Sequence, residues 1–219
     1  MDPMWSSPSP ACCALVAGPG FHGSAAIMSR VDPTLRHADP ARDAAACAAI
    51  YGPYVTSTAA SFEDVAPTAA QVAERIVRTS RTHPWIVLED EQRVAGFAFA
   101  SQHQERAAYR WAANVAVYVD PEYQGRGAGR ALYAALLDLL RHQGLRVACA
   151  GITLPNDASV GLHRAVGFEP VGTYRAIGWK AGAWRDVSWW QLRLAPGDGA
   201  PGDGDGDAPP QDPREPQRL

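Results

Sequence analysis

The chain has 219 residues, 47% of them apolar, and a formal net charge of −3. That length suits one domain with tails, and the apolar share is ample for a core. The charge balance offers no nucleic-acid face, no stretch is long and apolar enough to span a membrane, and the four cysteines have neither zinc spacing nor disulfide-scaffold density.

Residues 1–28 are rich in Pro, Ser, Ala and Gly and are expected to be disordered. Ala11–Ala17 is apolar, but no basic residue precedes it, which argues against a secretory signal. Met28 stands just before the recognisable domain and is expected to be the true start; an intact mass that includes residues 1–27 would overturn this. The domain is expected over residues 29–195. Thr34–Arg36 reads as a short strand. Asp39-Pro40 opens a helix over Ala41–Tyr51, which Pro53 should disturb. Thr68-Ala69-Ala70-Gln71 has capping-box spacing, with Val72, Ile76 and Val77 as the apolar stripe behind it. Trp85–Leu88 and Val94–Ala100 flank a polar turn and predict a hairpin, followed by a polar connection over Ser101–Arg110.

The stretch from Val115 to Val166 is the most informative. Val115–Val119 reads as a covered strand, which Pro121 ends. Gln124-Gly125-Arg126-Gly127-Ala128-Gly129 follows, and a helix runs from there to Gln143, with Leu132, Leu136, Leu139 and Leu140 on one face and Gly144 as its stop. The glycines leave backbone N–H groups bare beside a helix N-terminus, a site for phosphate or pyrophosphate, or else simply a tight strand-to-helix turn. No Lys-Ser/Thr follows Gly129, so this is not a Walker loop, and the spacing does not fit a dinucleotide fingerprint. Val147–Ile152 reads as a strand, Ala158–Val166 as a helix capped by Asn156 or Asp157, and Phe168–Ile177 with Trp184–Leu192 as a closing antiparallel pair. Trp189 and Trp190 should then lie on opposite faces of the last strand. From Pro196 the Gly-Asp-Pro tail carries a net charge of −4 and is expected to be disordered over residues 196–219.

Gln124–Gly129 resembles the acetyl-CoA loop of the GNAT acetyltransferase superfamily. Tyr109-Arg110-Trp111, Val117-Tyr118-Val119, Leu154-Pro155-Asn156-Asp157-Ala158-Ser159-Val160, Leu162-His163, Gly178-Trp179-Lys180 and Trp184-Arg185-Asp186-Val187 are similar to its phosphinothricin and arsinothricin N-acetyltransferase branch. The resemblance spans roughly Val31 to Leu194. It implies an α/β (α+β) fold, with a mostly antiparallel central sheet flanked by helices. It also implies acetyl transfer from acetyl-CoA, without a metal, to the α-amine of a small anionic amino acid: phosphinothricin, methionine sulfoximine or arsinothricin. The outcome would be resistance or detoxification by a cytoplasmic homodimer with no nucleic-acid or membrane partner. A protein or peptide N-acetyltransferase, or a non-catalytic acyl-CoA sensor, is the alternative.

The resemblance also implies roles. Gln124, Gly125, Arg126, Gly127, Ala128, Gly129 and Arg130 would hold the pyrophosphate. The backbone of Val117, Tyr118 and Val119 would hold the pantetheine arm and the thioester oxygen, and Asn156 and Ser159 would also touch the cofactor. Asn156 reads as a helix cap as well. His163 or Tyr133 would protonate the leaving thiolate. Phe62, Arg106, Tyr109 and Lys180 would meet the acceptor, with Tyr54 as a further pocket wall and Arg175 as a further basic candidate. One departure stands out: the branch has a glutamate four residues before the strand's tyrosine, and here that position is Asn114, which has no group that titrates near neutrality. His103, Glu63 or solvent hydroxide would then act as base.

Overall fold

The structure is a computed structural model and describes residues 33–194, 211–217 and 219. The expectations for residues 1–28 and 196–210, with Cys12 and Cys13, lie outside the described residues. Among the described residues seven strands form one mixed sheet in the order β1-β2-β3-β4-β5-β7-β6. They are β1 (Thr34–His37), β2 (Trp85–Asp90), β3 (Arg93–Gln102), β4 (Ala112–Val119), β5 (Val147–Thr153), β6 (Glu169–Lys180) and β7 (Ala183–Arg193). Only β4 and β5 pair in parallel; every other neighbouring pair is antiparallel.

Helices α1 (Pro40–Thr56) and α2 (Ala69–Thr79) cover one face. Their buried Cys47, Ile50, Val55, Val72 and Ile76 pack on Trp85, Val87 and Phe97. Helix α3 (Ala128–Gln143) covers the other face with Leu132, Tyr133, Leu136 and Leu140 against Ile86, Ala98 and Ala148, and α4 (Asp157–Ala165) lies beside it. Alternation along β2 explains the split: Ile86 and Leu88 face α3, whereas Trp85 and Val87 face α1.

The ends of the helices follow their local chemistry. Asp39 caps α1 by accepting from the Ala41 and Arg42 amides at 2.8 and 3.1 Å. Thr68 and Gln71 form the expected capping box. Gly144 ends α3 at φ 89°. Two expectations are corrected. Pro53 does not disturb α1, which continues to Thr56: the proline stands in the last turn, and burial of Val55 beyond it holds that turn to the core. Val77 is 45% exposed, so the α2 stripe is Val72 and Ile76.

Around the start of α1, Asp43 is 1% exposed and receives both terminal nitrogens of Arg36 at 2.6 and 2.7 Å. The Asp39 amide adds a third bond at 2.7 Å. Glu89 on β2 joins Arg36 and Arg42 to the same network. At the other end of the chain, residues 211–217 do not behave as a free tail. Arg110 Nε donates to Asp212 at 2.6 Å, Trp111 Nε1 to the Gln211 carbonyl at 2.9 Å, and the Arg214 amide to the Gln143 carbonyl at 2.7 Å.

Candidate active site

The sheet opens between β4 and β5. Strand β4 pairs with β3 from Ala113 to Val119, but with β5 only from Ala112 to Asn114. Beyond Asn114 the two strands part, leaving one edge of residues 115–119 facing one edge of residues 150–153. The gap is a cleft of about 670 Å³, lined by both edges, the glycine-rich loop and the start of α4.

Backbone direction alternates along a strand, so alternate amides of β4 serve the two sides. The Asp120 amide donates to the carbonyl of Ala95 in β3, which sets the even-numbered amides toward β3. The odd-numbered amides of Val115, Val117 and Val119 therefore face the cleft. Tyr54 clamps the far end: its hydroxyl donates to the Val119 carbonyl at 2.7 Å and accepts from Gln124 Nε2 at 3.0 Å. The pairing of Asn114 with Cys149 already takes the Val115 amide, so the free donor next to the middle of the cleft is Val117. Tyr118 presents no amide there. Its ring packs edge-on to Tyr51 and Tyr54, at 4.7 and 5.2 Å between centroids, and burial pushes its hydroxyl pKa up.

The loop end is built for an anion. The first intrahelical bond of α3 runs from the Ala131 amide to the Gly127 carbonyl, so the amides of Ala128, Gly129 and Arg130 have no partner within the helix. No side chain caps them. Gly127, at φ 88°, is the N-cap in the left-handed region, where a Cβ would be strained. A Cβ on Gly129 would stand 3.0 Å from Leu162 Cδ2, so glycine here lets α3 and α4 approach closely. Arg126 alone of the loop candidates does not line the cleft; its guanidinium lies 6.0 Å from the Tyr123 ring.

Deeper in the cleft, Tyr133 and His163 form a buried pair, with Oη and Nε2 2.8 Å apart. His163 Nδ1 donates to the Ser159 carbonyl at 2.7 Å, which leaves Nε2 to accept from the Tyr133 hydroxyl. Burial lowers the His163 pKa against the opposing Ser159 bond and raises that of Tyr133, so the ring is neutral and the phenol protonated. Asn156 is indeed the α4 cap, its Oδ1 accepting from the Ser159 amide at 3.1 Å, and it also lines the cleft.

The acceptor candidates scatter. Arg106 and Tyr109 line a separate hollow of about 580 Å³ with His103, beside Asn114. Phe62 lies across Gly178, where a Cβ would meet its ring at 2.2 Å. Lys180 does not present its charge to a ligand: it is buried and its ammonium donates to the Glu63 carbonyl. Arg175 is engaged by Asp186 at 2.8 Å. Sequence reasoning missed the β5 edge from Ala150 to Thr153 and the Tyr54 clamp, because strand divergence and a contact 65 residues apart leave no local signal.

Residues 50–168 match the model of the Acetyltransferase (GNAT) family. The chain is 39% identical over 151 residues to a phosphinothricin N-acetyltransferase of Streptomyces viridochromogenes, covering 69% of this chain and 82% of that one. It is 36% identical over 162 residues to an L-methionine sulfoximine/L-methionine sulfone acetyltransferase of Salmonella typhimurium, covering 74% and 94%. Among solved structures, a GNAT superfamily phosphinothricin acetyltransferase from Sinorhizobium meliloti in complex with AcCoA superposes with a TM-score of 0.72 at 35% identity, covering 78% and 94%.

Proposed function

The chain belongs to the acetyltransferase (GNAT) family and is an acetyl-CoA-dependent N-acetyltransferase; within that activity we propose that its acceptor is the α-amine of a small anionic amino acid of the phosphinothricin, methionine sulfoximine or arsinothricin type. The observation that carries this reading is the hollow lined by Arg106 and Tyr109, whose His103 is bonded to Asn114, the residue after which β4 and β5 part. The acceptors named for the two relatives support it. So does Arg106, whose guanidinium has no hydrogen bond or ion pair among the described residues and whose planar fork suits a carboxylate, phosphinate or arsinate.

In this reading the loop amides of Ala128, Gly129 and Arg130 bind the pyrophosphate of acetyl-CoA. The odd-numbered edge of β4 takes the pantetheine arm as an added strand. The cleft-facing amide of Val117 stabilises the thioester oxygen as it gains charge. Tyr133 supplies the proton that the leaving thiolate needs, and His163 holds that hydroxyl in place. Acetylation removes the positive charge of the amine, and detoxification or resistance follows from it.

A thiol-release assay tests the acceptor. Purified protein and acetyl-CoA are offered phosphinothricin, methionine sulfoximine, arsinothricin and glutamate in turn. Release with at least one of the first three is expected, and weaker or no release with glutamate. Silence with all four, while CoA still binds, would rule the reading out.

The protein also acts as a homodimer in this proposal. Trp179 and Trp184 are 60% and 63% exposed on the β6–β7 hairpin, edge-on to each other at 5.6 Å, with Val171, Tyr174 and Ile177 exposed nearby. So much apolar surface on one hairpin suits burial against a second copy. Light scattering on the eluting 23.4 kDa chain should return twice that mass, and Trp184→Glu should return the monomer; a wild-type monomer at micromolar concentration excludes the dimer. A cytoplasmic site of action is part of the same proposal and is checked by cell fractionation. Among the described residues no helix is long and apolar enough to cross a membrane.

A further inference from the structure

We propose that His103, oriented by Asn114, is the base that removes the proton from the acceptor's ammonium group. This rests on the acceptor reading above and adds the residue that makes the amine reactive. The β3–β4 register sets Ser101 opposite Asn114 and Gln102 opposite Ala113. His103 comes immediately after the end of β3, and its side chain turns back onto Asn114, with Nδ1 and Oδ1 2.8 Å apart. An amide oxygen only accepts, so Nδ1 is the donor, and in the neutral ring the lone pair lies on Nε2. The ring is held edge-on by Tyr109 at 5.8 Å and Trp189 at 6.2 Å. Nε2 is thus the basic atom of the hollow that also contains Arg106.

The rival bases are engaged elsewhere. Glu63 is forked onto Arg75 at 2.7 and 2.9 Å and receives the Tyr51 hydroxyl at 2.9 Å. Those bonds, that of Arg75 foremost, hold its carboxyl below the usual range and occupy its lone pairs. His163 accepts from Tyr133. Asparagine at position 114 is therefore a positioning residue, and the basic nitrogen comes from the end of the neighbouring strand.

The step balances. His103 Nε2 takes one proton from the R–NH₃⁺ group and passes it to solvent. The neutral amine attacks the thioester carbon, forming the C–N bond and an oxyanion. The C–S bond then breaks as the oxyanion collapses. The thiolate takes a proton from Tyr133, and the nitrogen's second proton restores that hydroxyl through solvent, giving R–NH–acetyl, CoA–SH and one released proton.

The test compares the parent with His103→Gln, His103→Ala, Asn114→Ala, Asn114→Asp and the double variant His103→Gln/Asn114→Glu, using whichever acceptor the parent acetylates. His103→Gln should lose about a hundredfold in kcat, with acetyl-CoA affinity by calorimetry unchanged. Added imidazole should restore His103→Ala in proportion to its concentration, and a carboxylate at position 114 should restore the double variant. Asn114→Ala should lose kcat with little change in KM, and Asn114→Asp, which keeps an acceptor for Nδ1, should retain it. Tyr109 and Trp189, which pack on the ring, Glu105 and Arg106, which share its hollow, and Cys149, paired with Asn114 on β5, are unchanged in all of these. An active parent with an unimpaired His103→Gln overturns the assignment and leaves the acceptor reading standing; loss in His103→Gln without imidazole rescue of His103→Ala also overturns it. A parent silent with every acceptor overturns both.

Discussion

Replacing Tyr133 with phenylalanine should lower kcat by about a thousandfold and leave acetyl-CoA binding intact. The expectation follows from which atom holds a transferable proton. His163 has its single ring proton on Nδ1, bonded to the Ser159 carbonyl, and burial keeps the ring from gaining a second. It has nothing to give a thiolate. The Tyr133 hydroxyl lies 2.8 Å from His163 Nε2 and is held protonated by the same burial, and Tyr133 is among the residues that line the cleft. A phenylalanine keeps the packing on Phe168 and the α3 core and removes only the oxygen. Steady-state kinetics beside calorimetric binding of acetyl-CoA checks this. A loss of less than about tenfold would make the tyrosine a packing residue.

Asp43→Ala should cost about 3–5 kcal/mol of stability, the usual range for removing one partner of a buried ion pair. Asp43 is 1% exposed and Arg36 22%, so the arginine is left half-buried with Glu89 as its remaining carboxylate. The Asp39 amide loses its acceptor at the same time, at the very start of α1. Urea unfolding followed by fluorescence gives the difference; a loss under about 1 kcal/mol would mean that water replaces the pair at little cost. The sign with pH is fixed by the direction of the shift. Burial alone would raise the Asp43 pKa, but the bonds from Arg36 and the Asp39 amide outweigh it, and the folded value lies below the ordinary one. The contribution is therefore complete above the unfolded aspartate pKa and is lost as pH falls through the folded value. Asp43→Ala should unfold with a shallower dependence on acid.

Much of this architecture was legible because its signals are local. The Thr68 capping box, the Gly144 stop, the apolar runs of β2 and β3 and the three glycines after β4 each specify their neighbourhood within a few residues. What escaped depends on distant partners. Pro53 reads as a breaker until the core beneath Val55 is known. Lys180 reads as a free cation until the Glu63 carbonyl is found 117 residues away. Residues 211–217 read as solvated chain, although Trp111, Arg110 and Gln143 each supply a bond. The Glu91-Gln92 turn, with both residues at positive φ and neither a glycine, shows a tight hairpin imposed by the strands rather than announced by turn chemistry. The glycine-rich loop was readable because glycine spacing is itself the signal. The cleft was not, since nothing in β4 or β5 records that they separate.

That separation has a consequence for solubility. A strand edge with open N–H and C=O groups is a template on which other chains add, and sheets commonly blunt such edges with charge or proline. Val115–Val119 carries neither. Its protection is geometric. The open edge faces inward, toward another edge of the same molecule, with Tyr54 bonded across one end and α3 and α4 beside it. A foreign polypeptide would have to thread this slot end-on. A thin, unbranched arm with amides at intervals can lie in it directly. The geometry proposed to admit the ligand is thus also the one that keeps an unguarded apolar strand from recruiting its neighbours in a crowded solution.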